Sequence, residues 1–216
     1  MDLKVPILDT EPPVVAVIDA RFVTKTPTTL SFAENTPDHG LTYANKQLRD
    51  ETNAVVATLS RGSMFTCNKE AFSVTSPYLA QPAAIVNTSG WNCSTMTHTW
   101  KLNDGMTLAI AGPYMSSAAE VTLTLPTSEK IVVGSLGSTS TVVLAPGVDA
   151  AAVLLLCRTW SHSQKDLLVS TVISLLPPLA VALTFAVNTI WAYIFGLVLM
   201  VLGFGFITYW MSRFRG

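Results

Sequence analysis

The sequence predicts a mainly β protein: a β-sandwich or Greek-key barrel-like domain followed by a C-terminal hydrophobic transmembrane anchor. Three observations lead there. Short runs of apolar and β-branched residues recur along most of the chain, each bounded by Gly, Asp, Asn or Pro. No long amphipathic pattern is interleaved with them, as an α/β fold would require. Between residues 167 and 212 no Asp, Glu, Lys, Arg or His occurs, whereas a membrane span needs only about 20 such residues.

Residues 1–13 read as an extended N-terminal arm. Val5, Ile7 and Leu8 need cover, and the stretch lacks the basic n-region and apolar h-region of a secretory signal. The β-rich domain is expected over 14–157. Its first strands are placed at 14–18, 22–25, 28–32, 54–59, 64–67 and 71–74, with 44–51 as the one early helix. Further strands are placed at 83–86, 95–100, 106–111, 120–125, 130–133, 139–144 and 151–156. Gly105, after Asn103 and Asp104, suits a hairpin turn. Val121, Leu123 and Leu125 alternate with Thr122 and Thr124, the period-two pattern of a strand covered on one face. The continuous runs Val142-Val143-Leu144 and Val153-Leu154-Leu155-Leu156 suit strands covered on both faces. Gly134-Ser135-Leu136-Gly137-Ser138 reads as a flexible turn, because no lysine follows to make it a phosphate cradle.

Residues 158–166 form a short polar connector, with Trp160 either at the bilayer interface or packed under the domain. The transmembrane region, 167–212, cannot be one straight helix. From 167 to 210 it would be about 66 Å long against a hydrocarbon core of about 30 Å. Two breaks compete. Asn188 would divide it into a helical hairpin, 167–187 and 190–210; Pro177 and Pro178 would instead leave an interfacial helix followed by one tilted span. Trp191 and Tyr193 at one end and Tyr209 and Trp210 at the other suit the headgroup level. The basic tail, 213–216, carries Arg213 and Arg215.

Composition excludes more than it assigns. With 13 basic against 14 acidic residues and a net charge of -1, no basic stripe for nucleic acid is expected. His39, His98 and His162 are isolated, no metal-ligand spacing or nucleophile elbow is present, and the aspartates Asp9, Asp19, Asp38, Asp104 and Asp149 are scattered. No catalytic residue, metal, cofactor or small-molecule substrate is therefore expected, and the chain does not read as an enzyme. His98 is a surface or packed strand residue, and Cys157 an unpaired buried thiol.

Asn87 and Asn92 begin N-glycosylation acceptor tripeptides, and Cys67 and Cys93 are the pair that could form a disulfide in an oxidising compartment. These features place the β domain outside the cell or in a lumen, with the cytoplasmic side as the alternative if the anchor is a hairpin. The functional expectation is a membrane-anchored structural or interaction protein, such as a viral envelope or surface glycoprotein displaying a β-sandwich. The alternative is an accessory subunit of a large membrane complex. Its partners would be the lipid bilayer and further copies of itself or a companion membrane protein.

Overall fold

The computed structural model describes residues 15–62, 71–88, 95–102, 104–114, 116, 118–137, 140–186 and 190–213. By internal contacts the chain divides into two units, Met1–His162 and Ser163–Gly216. The first holds eleven strands: β1 (Thr28–Ser31), β2 (Leu41–Ala44), β3 (Gln47–Asp50), β4 (Val55–Arg61), β5 (Ala71–Thr75), β6 (Ala83–Asn87), β7 (Thr95–Lys101), β8 (Thr107–Pro113), β9 (Ala119–Thr124), β10 (Lys130–Leu136) and β11 (Thr141–Leu144). The helix α1 (Ala150–Ala186) begins in this unit, and α2 (Ile190–Arg213) belongs to the second.

All eleven strands join one antiparallel sheet in the order β1-β11-β10-β9-β8-β7-β6-β5-β4-β3-β2. The mainly β expectation holds, but the strands do not divide into the two sheets of a sandwich. Nor is the order that of a Greek key, since from β2 to β11 each strand pairs with the next in sequence. The ladder is not closed either, because β1 and β2 remain edges. Alternation fixes which face is covered. In β7, Met96, His98 and Trp100 are buried while the intervening threonines are not, and in β9 Ala119, Val121 and Leu123 are buried while Glu120 and Thr122 are not.

The covered face packs on the start of α1. The eight residues Ala150 to Cys157 are each no more than 5% exposed, and eight residues make more than two full turns. A helix apolar and buried on every side must be surrounded, which a flat sheet on one side cannot do. The sheet is therefore curled about the helix. Its two edges agree: ten flat interstrand steps would separate β1 from β2 by about 48 Å, yet nine residues join them, a reach of at most about 35 Å. Asp38 pins the edges together. Its backbone pairs with Leu41 of β2, and its Oδ2 accepts the Ser31 N–H of β1 at 2.5 Å.

Several expectations change for identifiable reasons. Residues 151–156 are helix, not strand, and the connector 158–166 is a continuation of that helix. Asp149 caps it: Oδ1 accepts the N–H groups of Ala151 and Ala152 at 3.0 and 3.2 Å. A short apolar run reads alike as strand or helix, and the cap with three alanines behind it decides for helix. The expected helix at 44–51 is the β2–β3 hairpin, turned by Asn45 and Lys46 at φ 49° and 66°, both positive as a type I′ turn demands. Gly134 and Ser135 lie within β10 rather than in a turn. A Cβ at Gly134 would stand 2.9 Å from Leu144 Cδ2, so glycine permits the approach of β11. Residues 22–25 give a 3-10 turn at Ala20–Phe22 and a bridge at Val23, and 14–18 contributes only the bridge of Val15 to Val148. The strand placed at 64–67 lies outside the described residues.

The same aspartate anchors the first described segment. Oδ2 of Asp149 accepts N–H groups from Val17, Ile18 and Asp19 at 3.0, 2.6 and 3.2 Å. Asp149 is 0% exposed. Burial pushes its carboxyl up from the ordinary range, and the donors from Ile18, Ala152, Asp19 and Val17 pull the other way. Replacing Asp149 with Ala leaves several buried N–H groups unpaired as well as removing the cap, and should cost about 3–5 kcal/mol. The check is urea unfolding followed by tryptophan fluorescence, with Asp149→Asn expected to fall between. By contrast Lys46→Gly relieves a side chain at positive φ and should raise stability by about 0.5–1 kcal/mol, seen as a higher urea midpoint with an unchanged slope.

Candidate functional site

Two places carry the residues singled out by sequence: the apolar helices of the second unit and the inner face of the first. In α2, Phe195, Leu197, Leu202 and Phe204 are each more than 60% exposed. Leaving such side chains in water forgoes roughly 1.5–3 kcal/mol apiece. The stretch Tyr193–Trp210 is long and apolar enough to cross a membrane, the one such helix among the described residues. The Thr208 hydroxyl is satisfied without solvent, because Oγ1 donates within the helix to the carbonyls of Phe204 and Gly205, both at 3.0 Å.

The aromatic residues mark the ends of that stretch. Trp191 lies in the first turn of α2, and Tyr193 and Tyr209 are exposed. Trp210 stacks near Phe206, the ring centroids 6.3 Å apart. From 191 to 210 the helix rises about 28 Å, close to the thickness of a hydrocarbon core. Gly203 and Gly205 have open space where a Cβ would stand, so no neighbour among the described residues uses them. Pro177 and Pro178 lie inside α1, which is helical on both sides of them. Each lacks an N–H, so the carbonyls one turn earlier lose their helical donors. Asn188 lies outside the described residues, between the end of α1 and the start of α2.

Trp160 is not exposed at an interface but 2% accessible, against the sheet. It meets His98 edge-on at 6.1 Å. His98, in β7, is also 6.0 Å from Phe72 of β5, whose other neighbour is His162 at 6.1 Å. His98 is 0% exposed, and neither ring nitrogen has a hydrogen-bond partner. Burial pulls its pKa down to about 4, so the ring is neutral at ordinary pH. In this structure it packs as an aromatic ring between Phe72 and Trp160. Cys157, one turn earlier, is a free, fully buried thiol whose pKa burial pushes far up, the opposite of an activated nucleophile.

Arg158 points its guanidinium over the ring of Tyr43 at 4.5 Å, a cation–π contact, and burial lowers its pKa. Its charge thus serves the domain rather than flanking a span. Asn87 ends β6 directly opposite His98, half-buried, in the same register parity as Ile85. Asn92, Cys67 and Cys93 lie outside the described residues. Among the described residues no three His, Cys, Asp or Glu side chains converge on a metal-sized space. The residue that sequence reasoning passed over is Asp149, whose signal was available: a capping side chain directly before an alanine-rich apolar run.

A buried imidazole with a depressed pKa ties stability to pH. Protonation favours the unfolded chain, where the pKa is near 6.5, over the folded one, where it is about 4. Stability should be whole above pH 6.5, decline as pH falls through that window and level off below it, by on the order of 3 kcal/mol in all. Urea titrations between pH 4 and 7.5 should show this decline, and His98→Leu should flatten it.

No protein-family model, no curated protein and no solved structure matches the chain, so what it does must be argued from these helices and this enclosed core.

Proposed function

We propose that the chain is a membrane-anchored, non-enzymatic interaction protein whose C-terminal helices hold a curled β domain at a lipid bilayer. The observation that carries this reading is α2, with its exposed apolar side chains, aromatic ends about 28 Å apart and internally satisfied hydroxyl. The second half of α1 supports a second crossing, since it is helical from 163 to 186 and free of charge beyond Asp166. Two crossings place the domain and the Arg213 end on one side of the membrane, and the arginine favours the cytoplasmic side.

That topology bears on the choice between a displayed surface protein and a subunit of a membrane complex. A glycan acceptor needs its amide in solvent, whereas Asn87 is half-buried in a strand. Its placement gives weight to the subunit reading, in which the bilayer and other membrane chains are the partners.

Alkaline carbonate extraction tests the anchor. The full chain should stay with the membrane, and a chain ending at Asp166 should be released; full release of both would overturn the reading. Mild-detergent purification from the native membrane then separates the two alternatives. Stoichiometric co-purification with several other chains is expected for a subunit, whereas recovery as a homo-oligomer whose mobility shifts on deglycosylation would restore the surface glycoprotein.

A further inference from the structure

The last enclosed stretch of α1 is held to the sheet through one cluster of rings. Over residues 157–162 the helix is covered on one side only: Cys157, Thr159 and Trp160 are buried, whereas Arg158, Ser161 and His162 are partly exposed. Trp160 meets His98, His98 meets Phe72, and Phe72 meets His162, so the contacts run from helix to sheet and back. On the sheet side these rings stand where three ladders end. Arg61 with Phe72 is the terminal pair of β4 and β5, Ala71 with Val86 that of β5 and β6, and Asn87 with His98 that of β6 and β7. Ladder ends open at a lower free energy than ladder centres.

No carboxylate meets His98 from any of these elements. Its register partners are Asn87 on β6 and Ile110 on β8. The helix contributes Trp160 and, across Phe72, His162. The charged groups on the adjoining strands and on α1 are cations: Arg61 beside Phe72 on β4, and Arg158, whose guanidinium lies over Tyr43 of β2. The next carboxylate along α1 is Asp166, a full turn beyond His162. His98 is 0% exposed, and neither ring nitrogen has a hydrogen-bond partner. A proton added to it would bury a charge among rings, with both N–H groups unpaired.

We propose that this ring cluster is an acid-operated latch: protonation of His98 breaks the contacts with Trp160 and Phe72 and releases residues 157–162 of α1 from the sheet. The start of the helix stays seated, since Asp149 caps it and holds the Val17–Asp19 segment against it through separate hydrogen bonds. Release lets the imidazolium reach water, so the open form gains as pH falls through the ordinary histidine range. The latch lies wholly within the first unit, so it stands or falls independently of the membrane reading. It differs from a general loss of stability in being confined to one end of the domain.

Cys157, fully buried at the edge of the released stretch, is a native reporter. The test is labelling of the full chain, with Cys67→Ser and Cys93→Ser, in zwitterionic lipid nanodiscs by dithiodipyridine, which reacts with thiols in acid. Each rate is divided by that of a free thiol at the same pH. With the ring titrating at about 4 when enclosed and about 6.5 in water, labelling should become about thirtyfold faster between pH 7.5 and 5. A buried cysteine at the seated end, Val153→Cys with Cys157→Ser, should show no such rise, and His98→Leu should abolish it at Cys157. No acceleration at Cys157 would overturn the proposal. So would equal acceleration at both positions, which marks general unfolding, or acceleration that persists in His98→Leu. If either variant fails to fold, His98→Phe and Val142→Cys in β11 take their places.

Discussion

The structure depends on the enclosure of one apolar helix end. Ala150 to Cys157 present no polar face, so they are stable only where protein surrounds them, and the eleven-stranded sheet has one apolar face that needs a core of that kind. Each satisfies the other. The carboxylate of Asp149 joins them at the point where the chain turns from sheet to helix. One oxygen caps α1 and the other gathers the N–H groups of Val17, Ile18 and Asp19. The donors of Ile18, Ala151 and Ala152 would otherwise be buried without partners, which is why one small side chain carries so much of this end of the domain.

Curling a sheet without closing it leaves two edges to manage. The link between β1 and β2 does so through Asp38, whose backbone serves one edge and whose carboxylate serves the other. Elsewhere the seam leaves a half-open cleft beside the 3-10 turn, while Leu30, Leu41 and Ala150 behind it stay buried. On the opposite part of the inner face, aromatic rings fill the space between α1 and the sheet. A histidine there has traded hydrogen bonds for ring contacts with Phe72 and Trp160. The exchange holds while the ring is neutral, which burial ensures over most of the pH range.

The second unit presents the opposite kind of surface. Side chains that would be a liability in water cover α2, and the Thr208 hydroxyl turns back onto its own backbone. A lipid environment asks for both features, because it rewards apolar surface and supplies no donors or acceptors. The domain and the helices therefore solve opposite problems, one hiding its apolar residues and the other presenting them.

Much of this was determined by sequence alone. Alternation in β7, β8 and β9 marks which residues face inward, since a strand's side chains must alternate whatever its neighbours are. The charge-free run after Asp166 marks where a helix long and apolar enough to cross a membrane lies, because length and polarity are properties of the chain itself. Even the helical state of residues 150–157 had a signal in Asp149 and the alanines after it. What only the tertiary structure decided is where these pieces meet. An apolar run does not say whether a sheet or a bilayer will cover it, and the first part of α1 proved to be the core of the domain. His98 finds Trp160, Arg158 finds Tyr43, and Ser31 finds Asp38 only because the sheet curls. That curl follows from helix and sheet covering each other, a constraint that no local stretch of sequence contains.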